Sequence, residues 1–566
     1  MKSSKKLTAA LLALLICFGV LTACGTAADK SGEIAPATTG SQQSPAQSPT
    51  QAPAPTAAMP SSEVFVPEAP VEGANLADHI DVIVDSQLTI VNPFMIAGTG
   101  SEAQRASFMV HDRLVEQPET GVIGPQLAYD WETDDYQTFI FYLRDDVYFH
   151  NGDHFTAEDV LWNIEIANSF PGSPAYTKWT AVSSARALDT YVVELQLREP
   201  NIDFFFDLAE YTNSICNRRA YEENPDDPTW GFIGTGPFKV VDFASNDYLT
   251  IERCDDYWGD LPPTRSVTFW TIPEQATRTV MLQTGQVQVA FSLTPQDLNI
   301  IEASPDFNIF SVLVNEPVWL GFNNQGDEIM MDPNFRLAVA HALNTADVEE
   351  VAYGRWGQAP WDGNFWGPSS QYRLEGLPKR EYDPALAKEY LERSSYNGEP
   401  VEILTAIASN IRAAEIVQLQ LMDIGIDANV EIMEMAGFFE AISYNPDSKV
   451  QMHIFSGAMN PIANVALRLG YYPGQNTNRL NYNNEYLNGL IDQYGSTANT
   501  VEREAIAHDI QRFLYDDIPA VALFWRIAAV PTVNGIGGIK LSSDPFNHDL
   551  RGIYWNLDEA PANLRP

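Results

Sequence analysis

The chain is poor in basic residues. Lysine and arginine together number 33 among 566 residues, against 75 aspartates and glutamates, which gives a formal net charge of −42 at pH 7. A surface this acidic repels the phosphates of nucleic acids and the headgroups of anionic lipids. We therefore expect no nucleic-acid partner and no direct adhesion to a membrane surface.

Short catalytic motifs are absent from the sequence beyond the first 75 residues. It contains no G-x-S-x-G, no H-E-x-x-H, no C-x-x-C and no Walker lysine loop. His150 and His154 flank a turn, residues 151–153, where histidines more often make turn hydrogen bonds than bind a metal. The sequence thus favours a protein that is not an enzyme, with no cofactor and no metal site.

Long apolar runs are lacking too, except at the N-terminus. Residues 7–20 form a short apolar stretch preceded by Lys2, Lys5 and Lys6, which is typical of a secretory signal and too short to span a bilayer. Residues 21–24, which follow this stretch, are Leu-Thr-Ala-Cys and resemble a bacterial lipobox. This predicts a signal peptide over residues 1–23 and lipidation of Cys24.

Cysteine is scarce, with four residues in the whole chain. Cys17 would leave with the signal peptide and Cys24 would carry lipid, so Cys216 and Cys254 remain. An extracytoplasmic compartment permits a disulfide between them, but two buried thiols fit the sequence equally well. Residues 24–75, rich in Pro, Ser, Ala, Thr and Gln, have too few aromatics for a core and are predicted to be a disordered tether.

One segment combines several local signals: residues 125–167, PQLAYDWETDDYQTFIFYLRDDVYFHNGDHFTAEDVLWNIEIA. Aromatic and β-branched residues predict paired strands over 138–143 and 147–150. Thr156 is a suitable N-cap for a helix whose apolar residues recur at helical spacing. The segment therefore predicts a strand, strand, helix unit.

This segment resembles the pattern LAxxWE…YTFxLRxxVxFHxGxxxTAEDV of the extracellular solute-binding proteins of ABC importers, in the peptide/nickel-binding family. The resemblance continues in residues 234–238 (GTGPF), in 252–259 (ERCDDYWG) and in the run from 322 to 344. It covers nearly all of the chain beyond about residue 80.

The resemblance implies an α/β fold of the two-lobed periplasmic-binding-protein type. This is the type II form, with mixed sheets flanked by helices, an extra side domain and a hinge between the lobes. The implied layout is lobe I over residues 76–112, 229–297 and 518–566, a side domain over 113–228, and lobe II over 298–517.

Lobe II also shows α/β signals of its own. Asp383 and Pro384 cap and start a predicted helix. Residues 413–424 predict another helix that ends at Gly425 and precedes a strand at 428–432, and residues 502–515 predict a third helix.

The resemblance places the ligand in a cleft between the lobes, where aromatic platforms and a few polar anchors would contact it. The candidates from lobe I are glycine-rich or proline-containing turns, which tight-turn geometry alone also explains. Lobe II adds a run with three tryptophans, RWGQAPWDGNFWG, for which core packing is the alternative. The candidate ligand-binding residues are Asn92, Phe94, Thr235, Gly236, Phe322, Asn323, Trp356, Trp361, Trp366, Phe455, Met459 and Asn460.

The chain departs from the family at Met459. Residues 455–461 (FSGAMNP) resemble the family's segment GWxADYxDP, in which peptide-binding members place an aspartate that pairs with the ligand's α-amino group. This chain has Met459 at that position, followed by Asn460. A buried ammonium without a carboxylate is costly, so another acid must replace it or the ligand lacks a free amine there. Oligopeptide is the leading cargo by family frequency, with sugars, opines, metal chelates and modified peptides as alternatives.

Together these features predict a monomeric, lipid-anchored receptor on the extracytoplasmic face of a bacterial membrane. It would capture a small solute by lobe closure and deliver it to the transmembrane subunits of an ABC permease. Two other hypotheses are a surface sensor or adhesion protein without a permease, and an extracellular hydrolase.

Overall fold

The computed structural model describes residues 69–565, apart from 86–87, 89, 96–100, 118–122, 171–172, 458–466, 469 and 545–546. The predicted signal peptide, Cys24 and most of the predicted tether lie outside these residues. Within the described part of the chain, no helix is both long and apolar enough to cross a membrane.

Helices are distributed along the whole described chain. They are α1 Ser101–Val110, α2 Ala157–Ala167, α3 Pro174–Trp179, α4 Phe204–Ala209, α5 Arg218–Glu223, α6 Gln275–Gln283, α7 Pro295–Glu302, α8 Pro333–Ala342, α9 Thr345–Ala352, α10 Pro384–Arg393, α11 Ala408–Ile424, α12 Met435–Ala441, α13 Glu485–Ser496 and α14 Thr500–Asp517.

Strands alternate with the helices, as an α/β fold requires. They are β1 His79–Val84, β2 Val115–Glu116, β3 Gly124–Pro125, β4 Ala128–Glu132, β5 Thr138–Leu143, β6 Val182–Asp189, β7 Val192–Leu197, β8 Phe238–Ala244, β9 Tyr248–Arg253, β10 Ser266–Thr271, β11 Val289–Ala290, β12 Phe307–Phe322, β13 Gly357–Gln358, β14 Val401–Thr405, β15 Ala428–Ile432, β16 Met452–Ser456, β17 Ala520–Val533, β18 Ile536–Gly537 and β19 Tyr554–Trp555.

The largest sheet mixes parallel and antiparallel pairs in the order β15-β14-β16-β12-β17-β11-β1-β10-β9-β8, with β13 also paired to β17. Its two longest strands, β12 and β17, lie side by side in the middle. One half of β12 pairs with residues 527–533 and the other half with residues 520–525. The register shifts between Leu313 and Pro317, so an irregularity separates the two halves of the sheet.

The predicted strand, strand, helix unit is partly correct. Strand β5 has the predicted bounds, and α2 begins after Thr156, whose backbone N–H donates to the Asp159 carboxylate (2.9 Å) in a capping box. Residues 147–150 form no strand, which corrects the prediction, because β5 pairs with β4 and β7 instead. Tyr148 makes a single bridge to His154.

The helix predictions between residues 383 and 517 are confirmed. Asp383 accepts hydrogen bonds from Ala385 and Leu386 at the start of α10. Gly425 ends α11 in the left-handed region, with φ of 101°, where a side chain would be strained. Helix α14 extends two residues beyond the predicted helix at each end.

Separate apolar clusters stabilise different parts of the chain. The sheet β4-β5-β7-β6 shares a core with α2, α3 and α4, within the predicted side domain. The large sheet has its own core, and a further cluster joins β12 to α13 and α14. The exact domain boundaries stay a prediction.

The candidate disulfide is not formed. Cys216 and Cys254 are both free thiols. Cys216 is fully buried in the core of the predicted side domain, whereas Cys254 directly follows β9 of the large sheet. Burial raises the pKa of the Cys216 thiol, and it raises that of Cys254 to about 11. Both thiols are therefore protonated and unreactive at neutral pH.

Candidate functional site

Four aromatic side chains from three segments belong to one apolar cluster beside the end of β16, and we call them the aromatic cluster: Trp319, Phe365, Trp366 and Phe455. The register of β12 and β16 places Trp319 opposite Phe455, with ring centroids 5.2 Å apart at 82°. Phe365 packs on the same indole at 5.6 Å. Offset and edge-to-face pairs of this kind form rigid apolar platforms for a ligand.

The aromatic cluster contains two hydrogen-bond donors without acceptors. Trp319 and Trp366 are 6% and 5% exposed, and the indole N–H of each has no partner among the residues that the structure describes. A buried donor left unpaired costs about 1–3 kcal/mol. Unpaired donors beside an apolar platform are the arrangement expected where a solute supplies the acceptors.

The tryptophan-rich run is divided between two roles. Trp356 donates its N–H to Asn299 on α7 (3.0 Å) and is 3% exposed, so it packs in the core. Trp361 is half-buried below the guanidinium of Arg373, which lies 5.1 Å from the ring centroid and is bound by Asp362 at 2.7 and 2.8 Å. Of the three predicted tryptophans, the structure places only Trp366 in the aromatic cluster.

The candidates from lobe I are engaged in turn geometry. Asn92 donates to the carbonyl of Pro228 (2.9 Å) and accepts from the N–H of Phe94, whose ring packs on Trp230. Thr235 donates to the buried carboxylate of Asp112 at 3.1 Å. These side chains hold the loops and do not form part of the aromatic cluster.

Gly236 has a steric role. A Cβ atom added there would lie 2.6 Å from the carbonyl carbon of Val110, which is below any normal contact. The Gly236 N–H also donates to the Val110 carbonyl at 3.0 Å. The glycine is therefore required by the close approach of two backbones.

Phe322 and Asn323 are structural as well. Phe322 is fully buried. Asn323 donates to the carbonyls of Val450 (2.7 Å) and Ser448 (3.2 Å) and accepts from Asn481 (3.0 Å). Met459 and Asn460 lie outside the described residues, as does most of the segment that follows the aromatic cluster.

A buried ion pair joins the predicted side domain to the predicted lobe II. Arg503 on α14 donates to the carboxylate of Asp203, just before α4, and the two side chains are 2% and 5% exposed. The Arg503 guanidinium also lies 4.2 Å from the ring centroid of Tyr494. Burial raises the pKa of Asp203, although Arg503 opposes the shift. The pair therefore fixes the relative position of the two segments at this contact.

A second buried charge cluster surrounds Lys178, which bonds Asp207 (2.5 Å) and Glu210 (3.0 Å). Burial raises the pKa of Glu210, and Lys178 opposes that shift. Neither charge cluster was found by sequence reasoning, since their members lie far apart in the chain and no local pattern marks them.

Metal ligation has no support among the residues that the structure describes, which contain no group of three or more His, Cys, Asp or Glu side chains able to hold an ion. His150 donates its Nε2–H to the Gly236 carbonyl (2.9 Å), and His154 donates its Nε2–H to the Asp145 carbonyl (2.9 Å). Both therefore make the turn hydrogen bonds that the sequence favours.

Comparison by sequence and comparison by fold both identify binding proteins as relatives of this chain. The chain is 28% identical to the nickel-binding periplasmic protein of Escherichia coli K12 over 353 residues, 57% of this chain and 66% of that protein. It is 25% identical to the glutathione-binding protein GsiB of the same strain over 365 residues, 63% of this chain and 70% of that protein.

Among solved structures, the fold is similar to that of the ABC transporter-associated periplasmic binding protein DppA from Helicobacter pylori in complex with peptide STSA. The TM-score is 0.71 at 24% identity, over 85% of this chain and 98% of that chain. The expected two-lobed α/β binding-protein fold is thus confirmed.

The family model described as bacterial extracellular solute-binding proteins, family 5 Middle, matches residues 122–478, which is more than half of the chain. Members of this family are solute-binding proteins and not enzymes. This confirms the expectation from the sequence that the protein is not an enzyme. The protein therefore belongs to the bacterial extracellular solute-binding proteins of family 5.

Proposed function

We propose that the protein is the receptor of an ABC importer. It captures a small solute between its two lobes and delivers it to the transmembrane permease. The observation that carries this proposal is the pairing of family membership with the aromatic cluster, whose two buried indole N–H groups have no acceptor in the described part of the chain. Closure of the lobes around the solute would be the signal that the permease reads.

The solute-binding surface consists of Trp319, Trp366, Phe365 and Phe455. These side chains provide apolar area for stacking, and the two indoles donate hydrogen bonds to the ligand. The irregularity between Leu313 and Pro317, where β12 changes register against β17, is the position at which closure would bend the central strands.

The cargo that we propose is an oligopeptide. One solved neighbour holds a peptide, and the curated relatives are named for nickel and for glutathione, itself a modified tripeptide. A peptide offers carbonyl acceptors to indole donors along its backbone. A sugar, an opine or a metal chelate is the alternative, favoured by Met459 where peptide-binding members have an acid.

A ligand panel tests the cargo. We expect short peptides to raise the melting temperature of the purified protein, because a ligand selective for the folded state stabilises it by mass action. The panel would contain di- to pentapeptides, the same peptides acetylated at the N-terminus, oligosaccharides, opines and nickel chelates. Stabilisation by sugars or opines with none by peptides would contradict the peptide assignment.

Acetylated peptides serve as the matched control for the amine. Equal stabilisation by free and acetylated peptides is expected if no carboxylate replaces the missing aspartate at Met459. A requirement for the free amine would show that another acid pairs with it. Turnover of any panel member would contradict the binding function as a whole.

We further propose that the protein is a monomer held at the extracytoplasmic face of the membrane by lipid on Cys24. Two acyl chains are enough for stable anchoring. We expect the wild-type protein to partition into the detergent phase of Triton X-114 and the Cys24→Ala variant into the aqueous phase.

Cys17→Ala is the control for this experiment, since it changes the cysteine within the hydrophobic segment of the signal peptide without removing the lipidated residue. It should partition like the wild type. Aqueous partitioning of the wild-type protein, or detergent partitioning of Cys24→Ala, would rule out the anchor.

A further inference from the structure

A polar cavity lies apart from the aromatic cluster, and no residue of that cluster lines it. It has a volume of about 80 Å³ and lies where the end of α1 and β2 meet the segment between β18 and β19. Its charged or aromatic lining residues are Phe108, Arg113, Glu116, Lys540, Asp549 and Arg551. Four of these residues also line an adjoining open cavity of about 790 Å³, so small ions can reach it from solvent.

Arg113 is the unusual member of this cavity. It is 3% exposed, and its guanidinium lies 4.4 Å from the centroid of the Phe108 ring. Within the described chain the guanidinium makes no hydrogen bond and no ion pair within 4.0 Å. Its Nε and Nη1 atoms are enclosed by protein, which leaves Nη2 as the donor that faces the cavity.

Arg551 forms ion pairs with both acidic side chains that line the cavity. It bonds Asp549 at 2.9 Å and Glu116 at 3.0 Å. Lys540 is exposed and has no ion-pair partner among the residues described. The nearby carboxyl of Asp112 is hydrogen-bonded by Thr235 and Trp258, so among the cations that line the cavity Arg113 and Lys540 are the two without a direct ion pair within the described chain.

A buried guanidinium without an anion is strongly unfavourable in a low-dielectric interior. Burial and the neighbouring Arg551 lower the pKa of Arg113 to about 10, which leaves it charged at neutral pH. The planar guanidinium matches the oxygens of carboxylates and phosphates.

We propose that this cavity is a binding site for a small oxyanion, held between Arg113 and Lys540 and separate from the solute site. A bound carboxylate or phosphate would give the Arg113 guanidinium the direct acceptor that it lacks within the described chain. It would also join the α1–β2 segment to the C-terminal segment that contains Asp549 and Arg551.

The test is a titration of the purified protein with inorganic phosphate or acetate, against chloride at constant ionic strength. We expect saturable stabilisation in thermal unfolding, and Arg113→Met should weaken the apparent affinity at least tenfold. Methionine preserves the packing on Phe108 while removing the charge. Comparison of phosphate with acetate shows whether the site prefers a phosphate group or a carboxylate.

Lys540→Met tests the same site without altering the core and should also weaken the anion at least tenfold. It decides the outcome if Arg113→Met fails to fold. Lys388→Met, at an exposed lysine on α10, should bind the anion as the wild type does. No saturable effect of either anion, or full retention of the effect in Lys540→Met, would overturn the proposal.

Discussion

Replacing Arg503 by methionine is expected to destabilise the protein by about 3–5 kcal/mol, because it leaves the buried carboxylate of Asp203 without its cation. The two side chains are 2% and 5% exposed, so water cannot replace the lost partner. The free energy of unfolding from urea denaturation measures this loss. The matched control is Arg512→Met on the same helix, since Arg512 and Asp509 are both more than half exposed and their pair contributes little.

The loss should depend on pH in a defined direction. Burial raises the pKa of Asp203 above its ordinary value of 3.8, and removal of Arg503 removes a group that opposes the shift. A carboxyl with a raised folded-state pKa binds its proton more tightly when folded, so stability rises as pH falls from that pKa towards 3.8. The deficit of Arg503→Met should therefore be smaller at pH 5 than at pH 8.

Neutralising both partners separates charge from packing. The double variant Asp203→Asn with Arg503→Met should regain much of the lost stability, because no buried charge is left unpaired. An equal deficit at pH 5 and pH 8, with no recovery in the double variant, would show that Arg503 acts through packing alone.

Replacing Trp319 by phenylalanine is expected to weaken solute binding about tenfold to a hundredfold. The substitution keeps an aromatic ring opposite Phe455 but removes the indole N–H, and a donor to a ligand contributes about 1–3 kcal/mol when its loss leaves an acceptor unpaired. Trp366→Phe should act in the same way. Calorimetric titration with a ligand identified from the panel measures the change in Kd.

Trp356→Phe is the matched control. It removes the same atoms from an indole whose N–H already bonds Asn299. Stability should fall by about 1 kcal/mol or more while the Kd stays unchanged. Loss of affinity in Trp356→Phe equal to that in Trp319→Phe would show that the aromatic cluster is not the solute-binding surface.

Local signals in the sequence predicted local structure well. The Thr156 cap, the aspartate cap of α10 and Gly425 each depend on a few neighbouring residues, and all are found where expected. Residues 147–150 carried a strand pattern, yet β5 finds its partners in β4 and in β7, which lies beyond the intervening helices. Partner choice is set by the tertiary fold and leaves little trace in the local pattern.

The candidate site was harder to predict. Trp319 lies in an apolar run that resembles any buried strand, and its neighbours Phe365 and Phe455 come from distant segments. Conversely, the sequence made Asn92 and Asn323 candidates for ligand binding, but the side-chain amide of each donates hydrogen bonds to backbone carbonyls. Sequence shows which side chains have useful chemistry, whereas packing decides which of them remain unpaired.

The pairing of β12 with β17 also constrains how the chain is made. Strand β12 ends at Phe322, and its main partner begins only at Ala520, so a nascent chain carries an open strand edge for about two hundred residues of synthesis. Contacts this distant slow folding, and the unpaired edge invites aggregation in the meantime. A nonsense mutation before codon 520 would leave that edge open permanently, and the truncated product should accumulate as insoluble material or be degraded.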